Sequence, residues 1–461
     1  MPVNSFDDYP LSWKPDKAAL TKPYYLSLAA DLEQRIVSGE LRAGTKLPPQ
    51  REIADYLDIN YTTITRVYEL LKKKGLIYGT VGRGTFVSSH ADEDITVIPA
   101  DLSADIIEMS SVNGFSEDNI LTEKATRAVI EKGYLKSLYD YSFPGGQPHQ
   151  IAAGIRWMEQ LSVHADKERT LICAGAQNAL SIALVSLFSP HDRIAVDPYT
   201  YSNFIGLARL LHITLIPVEQ DEEGMRADSL EQLCQSRRLR GIYLMPTCAN
   251  PTNVTISLER RRELARIIRE YHLILIEDDV SAWLHAAAGT ILPSMHDLLD
   301  GHSVCICGMT KSLCAGLRVA YMTAGEEYFP RLLHGQQNMN IKTSALDAEI
   351  ITEMILNGDA NRLARQKLDQ TVRACELYRN TFGSGEPVSY YQWLPIDSRK
   401  DYRIVEDHFL RHGVRVYHSA RFAVSGGRDA FLRVSLSSAG SARRLETGLM
   451  RLQEALQDLP R

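Results

Sequence analysis

Apolar residues recur at helical spacing in three short stretches near the start of the chain, and then the pattern switches to strand-like runs. Tyr25, Leu28, Ala29, Leu32 and Ile36 form the first apolar face, and Gly39 ends it. Leu47-Pro48-Pro49 opens a second helix with Ile53, Ala54 and Leu57 turned inward. Proline in a first turn costs little, because the amide it lacks has no helical partner there. After Asp58-Ile59-Asn60, with Asn60 as N-cap, a third helix carries Ile64, Val67, Tyr68 and Leu71. Gly75 stops it, and residues 76–78 and 85–87 read as two strands around the glycine turn 79–84. Residues 90–109 are polar, acidic and rich in small side chains, as in a linker. From about residue 110, short apolar runs (193–196, 213–218, 241–245, 273–276, 303–307 and 318–323) alternate with helical stretches.

The first pattern, over residues 20–89, is the plan of a winged helix-turn-helix. Its third helix would present Tyr61, Thr62 and Thr63 to the major groove, with Arg51 and the wing residues Gly82 and Arg83 near phosphates or bases. A small helical domain with solvated charges has the same spacing. The second pattern, over 110–461, predicts an α/β fold with a largely parallel buried sheet. Its large part is expected at about 135–340 and a smaller C-terminal α+β subdomain at about 341–461.

Composition narrows the partners. The 461 residues exceed one ordinary core, and 44% apolar with 23% charged side chains is the balance of a soluble globular protein. The net charge of −6 argues against a chain that coats nucleic acid along its length. Residues 20–89, however, hold ten Lys/Arg against seven Asp/Glu, a local excess of +3 on an otherwise acidic body. The N-terminus lacks the basic and apolar regions of a secretory signal, and no apolar run approaches a membrane span. The seven cysteines are scattered, and Cys305-x-Cys307 has no second pair at zinc spacing. Alternation along a buried strand would point both in one direction. A cytoplasmic protein with reduced thiols and no metal is the expectation.

In parallel sheets ligands gather at the carboxyl ends of the strands, and the informative polar residues fall there. Gly175-Ala176-Gln177 stands between a strand at 170–173 and a helix expected near Asn178, where free amides would suit a phosphate; an ordinary strand-to-helix turn looks the same. Asp278 ends the run 273–278, and could hold a protonated ring nitrogen or cap a helix. Asn250-Pro251-Thr252 follows the run 241–246 and could be a simple turn. Lys311 leaves an apolar strand, where desolvation would lower its pKa and make it a nucleophile able to form a Schiff base; taken alone, a lysine at a strand exit that faces solvent is the commoner case. Arg318 is near enough in sequence to return to the same phosphate.

Two family resemblances draw these pieces together. Leu47-Pro-Pro-Gln-Arg51-Glu-Ile-Ala, Thr62-Thr63-Ile64, Val67-Tyr68-Glu-Leu-Leu and Gly82-Arg-Gly-Thr-Phe-Val87 resemble the DNA-binding domain of the GntR regulators. Gly175-Ala-Gln, Asn250-Pro-Thr, Glu277-Asp278-Asp279 and Thr310-Lys311-Ser-Leu-Cys-Ala-Gly-Leu-Arg318 resemble class I aminotransferases of pyridoxal 5'-phosphate (PLP) fold type I. The two joined resemble the MocR subfamily. This resemblance implies that Lys311 carries the PLP Schiff base, Asp278 meets the pyridine nitrogen and Asn250 the phenolic oxygen. It implies that Gly175, Ala176, Gln177, Thr310 and Arg318 line the phosphate site, and that Tyr199 or Tyr201 stacks on the ring. Tyr141 would reach in from a partner subunit, and Arg433 would grip an effector carboxylate, for which its planar fork suits.

Some positions depart from the family pattern. Tyr61 replaces an arginine donor, Gly308 a phosphate-binding serine, Val280 a tyrosine, Asn253 a glycine, and Ile151-Ala152 a Leu-Arg pair. The resemblance implies a homodimeric, domain-swapped regulator that binds operator DNA and senses PLP, an amino acid or an amine. A working aminotransferase with an accessory DNA-binding domain is the alternative, and a scaffold that has lost its cofactor is a third.

Overall fold

The structure, a computed structural model, describes residues 12–17, 20–37, 40–41, 45–73, 76–80, 84–87, 105–115, 119–141, 143–385, 387–425 and 430–459. The chain divides into two compact units, residues 1–96 and 97–461. Among the described residues no helix is long and apolar enough to cross a membrane.

The first unit packs three helices, Tyr24–Val37 (α1), Gln50–Leu57 (α2) and Tyr61–Lys73 (α3), with a small sheet. Strands Lys46–Leu47 (β1), Ile77–Thr80 (β2) and Gly84–Val87 (β3) run in the order β1-β3-β2, with β3 antiparallel to both neighbours. Pro49 sits at the N-cap of α2, and Asn60 Oδ1 accepts from the backbone N of Thr62 at 2.9 Å, the capping role expected of it. Ile53, Leu57, Ile64, Val67, Tyr68 and Leu71 are all buried in one core. β1 has no sequence signature, being two residues long and closed only by its pairing with Thr85 and Phe86. The core also takes in Trp13, ahead of the first amphipathic pattern. Its indole N–H donates to Asp31 Oδ2 at 2.7 Å, and its ring lies 6.4 Å from that of Tyr68.

The second unit begins with Ile107–Glu108 (β4). It then lays down Thr170–Cys173 (β5), Arg193–Val196 (β6), Thr214–Pro217 (β7), a hairpin of Gln220–Asp221 (β8) and Gly224–Met225 (β9), and Gly241–Leu244 (β10), Ile274–Asp278 (β11), Val304–Gly308 (β12) and Ala320–Ala324 (β13). The principal sheet has the order β5-β13-β12-β11-β10-β6-β7. All its pairings are parallel except those of β13, which is antiparallel to β12 and β5. This single reversal brings the start of β13, just after Arg318, to the same edge as the carboxyl ends of the other strands. Every residue of β5, β10, β11, β12 and β13 is buried, which accounts for their continuous apolar runs. Within β12, Val304 and Ile306 enter one core while Cys305 and Cys307 enter the other, so the two thiols do share a face. All seven cysteines are free.

In separate smaller sheets, Tyr391–Pro395 (β14), Val414–Arg415 (β15), Tyr417–His418 (β16) and Phe431–Ser435 (β17) complete the strands of the unit. The order β14-β17-β16 places Arg433 on a central strand, and β15 pairs in parallel with β4. The end of the expected linker is therefore structured. Ile107 and Met109 alternate inward and are buried with the C-terminal helix Ala442–Gln457. The helix Ala345–Leu356 packs with the helices Asn119–Ile130 and Pro148–Gln160 in the large-sheet core.

Replacing Trp13 with Ala removes a buried indole and its hydrogen bond, and should cost the first unit about 3–5 kcal/mol. Amide hydrogen exchange under native conditions is the measurement: protection in α1–α3 should fall while that of the large sheet stays unchanged.

Candidate functional site

At the carboxyl edge of the sheet three consecutive acids divide their tasks. Glu277 faces away and accepts from the backbone N–H groups of Met295 and His296 at 2.9 and 2.8 Å. Asp279 Oδ2 accepts from Thr247 Oγ1 at 2.6 Å. Asp278 accepts from the Tyr243 hydroxyl at 2.9 Å through Oδ2, while its buried Oδ1 has no hydrogen-bond partner. Burial pushes the Asp278 carboxyl up to about 7, against the Tyr243 hydrogen bond, which lowers it. Tyr243 is itself held by stacking on Phe204, with ring centroids 3.8 Å apart.

The loop carrying Asn250 is fixed from beneath by a buried arginine. Arg261 donates to the carbonyls of Pro246, Ile256 and Pro293 and to Thr247 Oγ1, all at 2.8–3.0 Å. Asn253 has φ 66°, a left-handed conformation that Asn tolerates, so its replacement of glycine leaves the turn intact. Asn250 Oδ1 accepts from Arg433 Nη1 at 2.8 Å, and Arg433 Nη2 donates to the Ser110 carbonyl at 2.5 Å. Arg433 is 2% exposed and lies among the rings of Tyr391, Tyr417 and Phe422. Burial lowers even its guanidinium, to about 10.

Gly175 and Arg318 form a close pair. Gly175 has φ 86°, and a Cβ there would stand 2.6 Å from Arg318 Nη2, so only glycine admits the guanidinium. The helix begins at Ala176 rather than near Asn178, because the Asn178 side chain accepts from the backbone N of Ala174 at 3.0 Å and closes the turn from within. Gln177 Oε1 is buried without a hydrogen-bond partner. Arg318 has φ 50° and stands outside the strand that the sequence suggested it would begin; its Nη1 lies 3.4 Å from Thr310 Oγ1. A Cβ on Gly308 would lie 3.3 Å from Ala176 Cβ and 3.5 Å from Val280 Cγ1. Gly308 and Val280, the two positions where the family pattern has a hydroxyl, thus stand together beside Ala176.

Lys311 sits on the helical turn Met309–Ser312 that follows β12. Its Nζ donates to the Val112 carbonyl, and its own carbonyl accepts from the Tyr390 hydroxyl at 3.1 Å. Burial, and then the charges of Arg433, Arg318 and Lys367, bring the amine down to about 7. Lys367 had no role in the sequence reading. It is 2% exposed on the helix Asp359–Phe382, and its Nζ donates to the carbonyls of Leu313 and Lys311, fixing the turn that presents the reactive amine. A lysine on the same helical face as Leu363, Ala364, Thr371 and Ala374 was the available signal.

Of the two tyrosines suggested as ring partners, Tyr201 feels the charges of Asp278, Arg433 and Arg318, and burial raises its hydroxyl to about 12. Tyr199 packs instead on Trp393 and Phe431, with centroids 5.6 and 6.4 Å away. Tyr141 is 78% exposed. In the first unit, Arg51, Tyr61 and Thr62 are exposed on one surface and Thr63 is half-buried. Arg51 Cζ lies 6.0 Å from the Tyr61 ring. Gly82 and Arg83 lie outside the described residues.

Comparison with known proteins agrees with this division. Residues 24–87 match the family model for bacterial regulatory proteins of the gntR family, and residues 106–452 that for aminotransferase class I and II. The chain is 34% identical over 465 residues to YdeF of Bacillus subtilis, described as an uncharacterized HTH-type transcriptional regulator, with 100% of both chains covered. An archaeal alanine:glyoxylate aminotransferase has a similar fold, with TM-score 0.71 at 21% identity over 77% of this chain and 91% of its own. So does LysN, the alpha-aminoadipate aminotransferase of Thermus thermophilus, solved with N-(5'-phosphopyridoxyl)-L-leucine, with TM-score 0.70 at 22% identity over 77% and 92%.

Lys311 should react with an amine-selective reagent at a rate that rises through about pH 7 instead of above pH 10. Lys367→Met removes one of the neighbouring positive charges and should move that midpoint upward. A rate profile followed by peptide mass spectrometry tests both, and an unchanged midpoint in the variant would contradict the electrostatic link.

Proposed function

The chain belongs to the GntR-type regulators of the MocR subfamily, with a class I and II aminotransferase domain behind the DNA-binding unit, and on that premise we propose that it is a PLP-dependent transcription regulator. The observation that carries this reading is a half-buried lysine with an amine of lowered pKa, Lys311, at a sheet edge it shares with an unpartnered carboxylate oxygen and an arginine packed on a glycine.

The residues fit PLP chemically. The orphaned Oδ1 of Asp278 suits a protonated ring nitrogen, and a carboxyl drawn up by burial is restored to its charged form by such a partner. Arg318 and the amino end of the helix Ala176–Leu187 suit a phosphate dianion. When bound, PLP supplies an aldehyde that a neutral primary amine attacks. With its pKa brought to about 7, Lys311 presents that neutral amine in a large fraction of molecules at neutral pH. Tyr201 is the tyrosine placed to flank the ring, and Asn250 holds Arg433 in the orientation in which it would receive a carboxylate. Gly308 and Val280 offer no hydroxyl. Each missing neutral hydrogen bond is worth about 0.5–1.5 kcal/mol, so cofactor binding should be weaker than in a cup that has them.

The same contacts supply a route for sensing. Lys311 and Arg433 are both held by backbone carbonyls of one stretch, Val112 O and Ser110 O. A new partner for either side chain competes with that stretch, which follows the linker from the DNA-binding unit. Occupancy shifts the population of the segment through differential affinity. The regulator is a cytoplasmic homodimer that reads repeated half-sites, and the exposed Tyr141 suits a side chain given to the partner's site. The likeness to YdeF over the whole chain, first unit included, favours regulation over transamination.

Wild-type protein should take up PLP and turn yellow, and Lys311→Ala should stay colourless. Promoter footprints should change with PLP and an amino acid. Arg433→Lys keeps the charge but loses the fork, and should weaken the response to amino acids roughly tenfold or more while sparing that to amines without a carboxylate. Equal loss for both ligand types would contradict the carboxylate role, and rapid turnover of an amino acid with 2-oxoglutarate without DNA binding would favour the enzyme.

A further inference from the structure

Near the end of the chain two helix C-termini converge. His408 lies in the last turn of the helix Tyr402–Arg411, which His412 caps; Asp458 caps the helix Ala442–Gln457. The donor atoms of His408, His412 and Asp458 all lie within 4.8 Å of one another, the one such group of three among the described residues. We propose that His408, His412 and Asp458 form a binding site for a borderline divalent transition cation of the Zn²⁺, Co²⁺ or Ni²⁺ kind.

The geometry supports this in three independent ways. The histidines are four residues apart, in the last turn and at the C-cap of one helix, so both rings leave the same face. His408 Nε2 is 3.5 Å from Asp458 Oδ1, and His412 Nε2 is 3.6 Å from Asp458 Oδ2. Donors held at about 2.0–2.2 Å from a tetrahedral ion stand about 3.4 Å apart, so each histidine already stands near that separation from one oxygen of Asp458, and the three donors close in from within 4.8 Å of one another. In the empty site His408 Nε2 donates its proton to the Ala455 carbonyl at 2.8 Å; a cation entering there displaces that proton and gains the carbonyl as a fourth oxygen donor.

The tautomer is set in the same sense. His412 Nδ1 lies 3.0 Å from the His408 carbonyl, which can only accept, so Nδ1 carries the proton. In its neutral form the ring turns the Nε2 lone pair toward the carboxylate. Two electron-pair donors facing each other are stabilised by a shared proton or a cation, and a backbone carbonyl fixing the far ring nitrogen is the usual support of a histidine ligand. The two helices also bring their negative ends together here, which adds to the attraction for a cation. Two imidazoles and one carboxylate, without thiolate, select a borderline divalent ion over a hard one. An occupied site would pin together the two helices that back β15 and β16.

The test uses the untagged full-length chain, stripped with chelator and titrated with Zn²⁺ by calorimetry, with Co²⁺ as a spectroscopic probe. Wild type should bind one equivalent with micromolar or tighter affinity and melt at higher temperature with metal present. His412→Ala and Asp458→Asn, both at partly exposed positions, should each weaken binding tenfold or more and abolish the thermal shift while leaving PLP colour unchanged. Absence of saturable uptake, or uptake that survives both substitutions and so belongs to other groups such as the free thiols, would overturn the proposal.

Discussion

The site depends on keeping one ammonium group out of water in positive company. Burial removes the hydration that favours the charged form of Lys311, and Arg433, Arg318 and Lys367 each add repulsion. The amine is brought to near neutrality by this combination, and the largest share belongs to burial. Each of the neighbouring cations has a separate structural reason to be where it is. Arg433 is held by Asn250 and Ser110, Arg318 is fitted against Gly175, and Lys367 is tied to the carbonyls of the turn itself. The fold therefore supplies this local field from side chains that it holds in place.

The parallel sheet explains how residues so far apart in sequence meet. Successive crossovers return each strand in the same direction, so the residues following β5, β10, β11 and β12 fall on one edge. The reversed β13 adds Arg318 to that edge from its beginning instead of its end. Behind them, Arg261 satisfies four acceptors around the Asn250 loop, a buried charge kept for positioning. Glu277 and Asp279 do similar work on either side of Asp278, leaving one oxygen of the middle acid free.

Most of the side chains at this edge were legible in the sequence because each sits at the end of a recognisable apolar run. Lys311, Asp278, Asn250 and Arg318 all belong to short local motifs, and the structure brings them together. Partners supplied by the backbone were not legible: Ser110 and Val112 act through carbonyls, which leave no signature in residue type. Lys367 was missed because it arrives from a distant helix, where a single lysine looks like surface. The helix start at Ala176 was misplaced because Asn178 serves the turn rather than opening the helix. β1, β4 and Trp13 escaped for a related reason, as two-residue strands and a lone aromatic are defined by tertiary pairing rather than by periodicity.

The proposed regulation rests on covalent chemistry at one nitrogen, and that can be mapped directly. The chain is incubated with PLP, reduced with borohydride to fix any carbon–nitrogen double bond, digested and analysed by mass spectrometry. The account predicts one phosphopyridoxyl group per chain, on the peptide containing Lys311. Label spread over surface lysines, or a Lys311 peptide that remains unmodified, would contradict it.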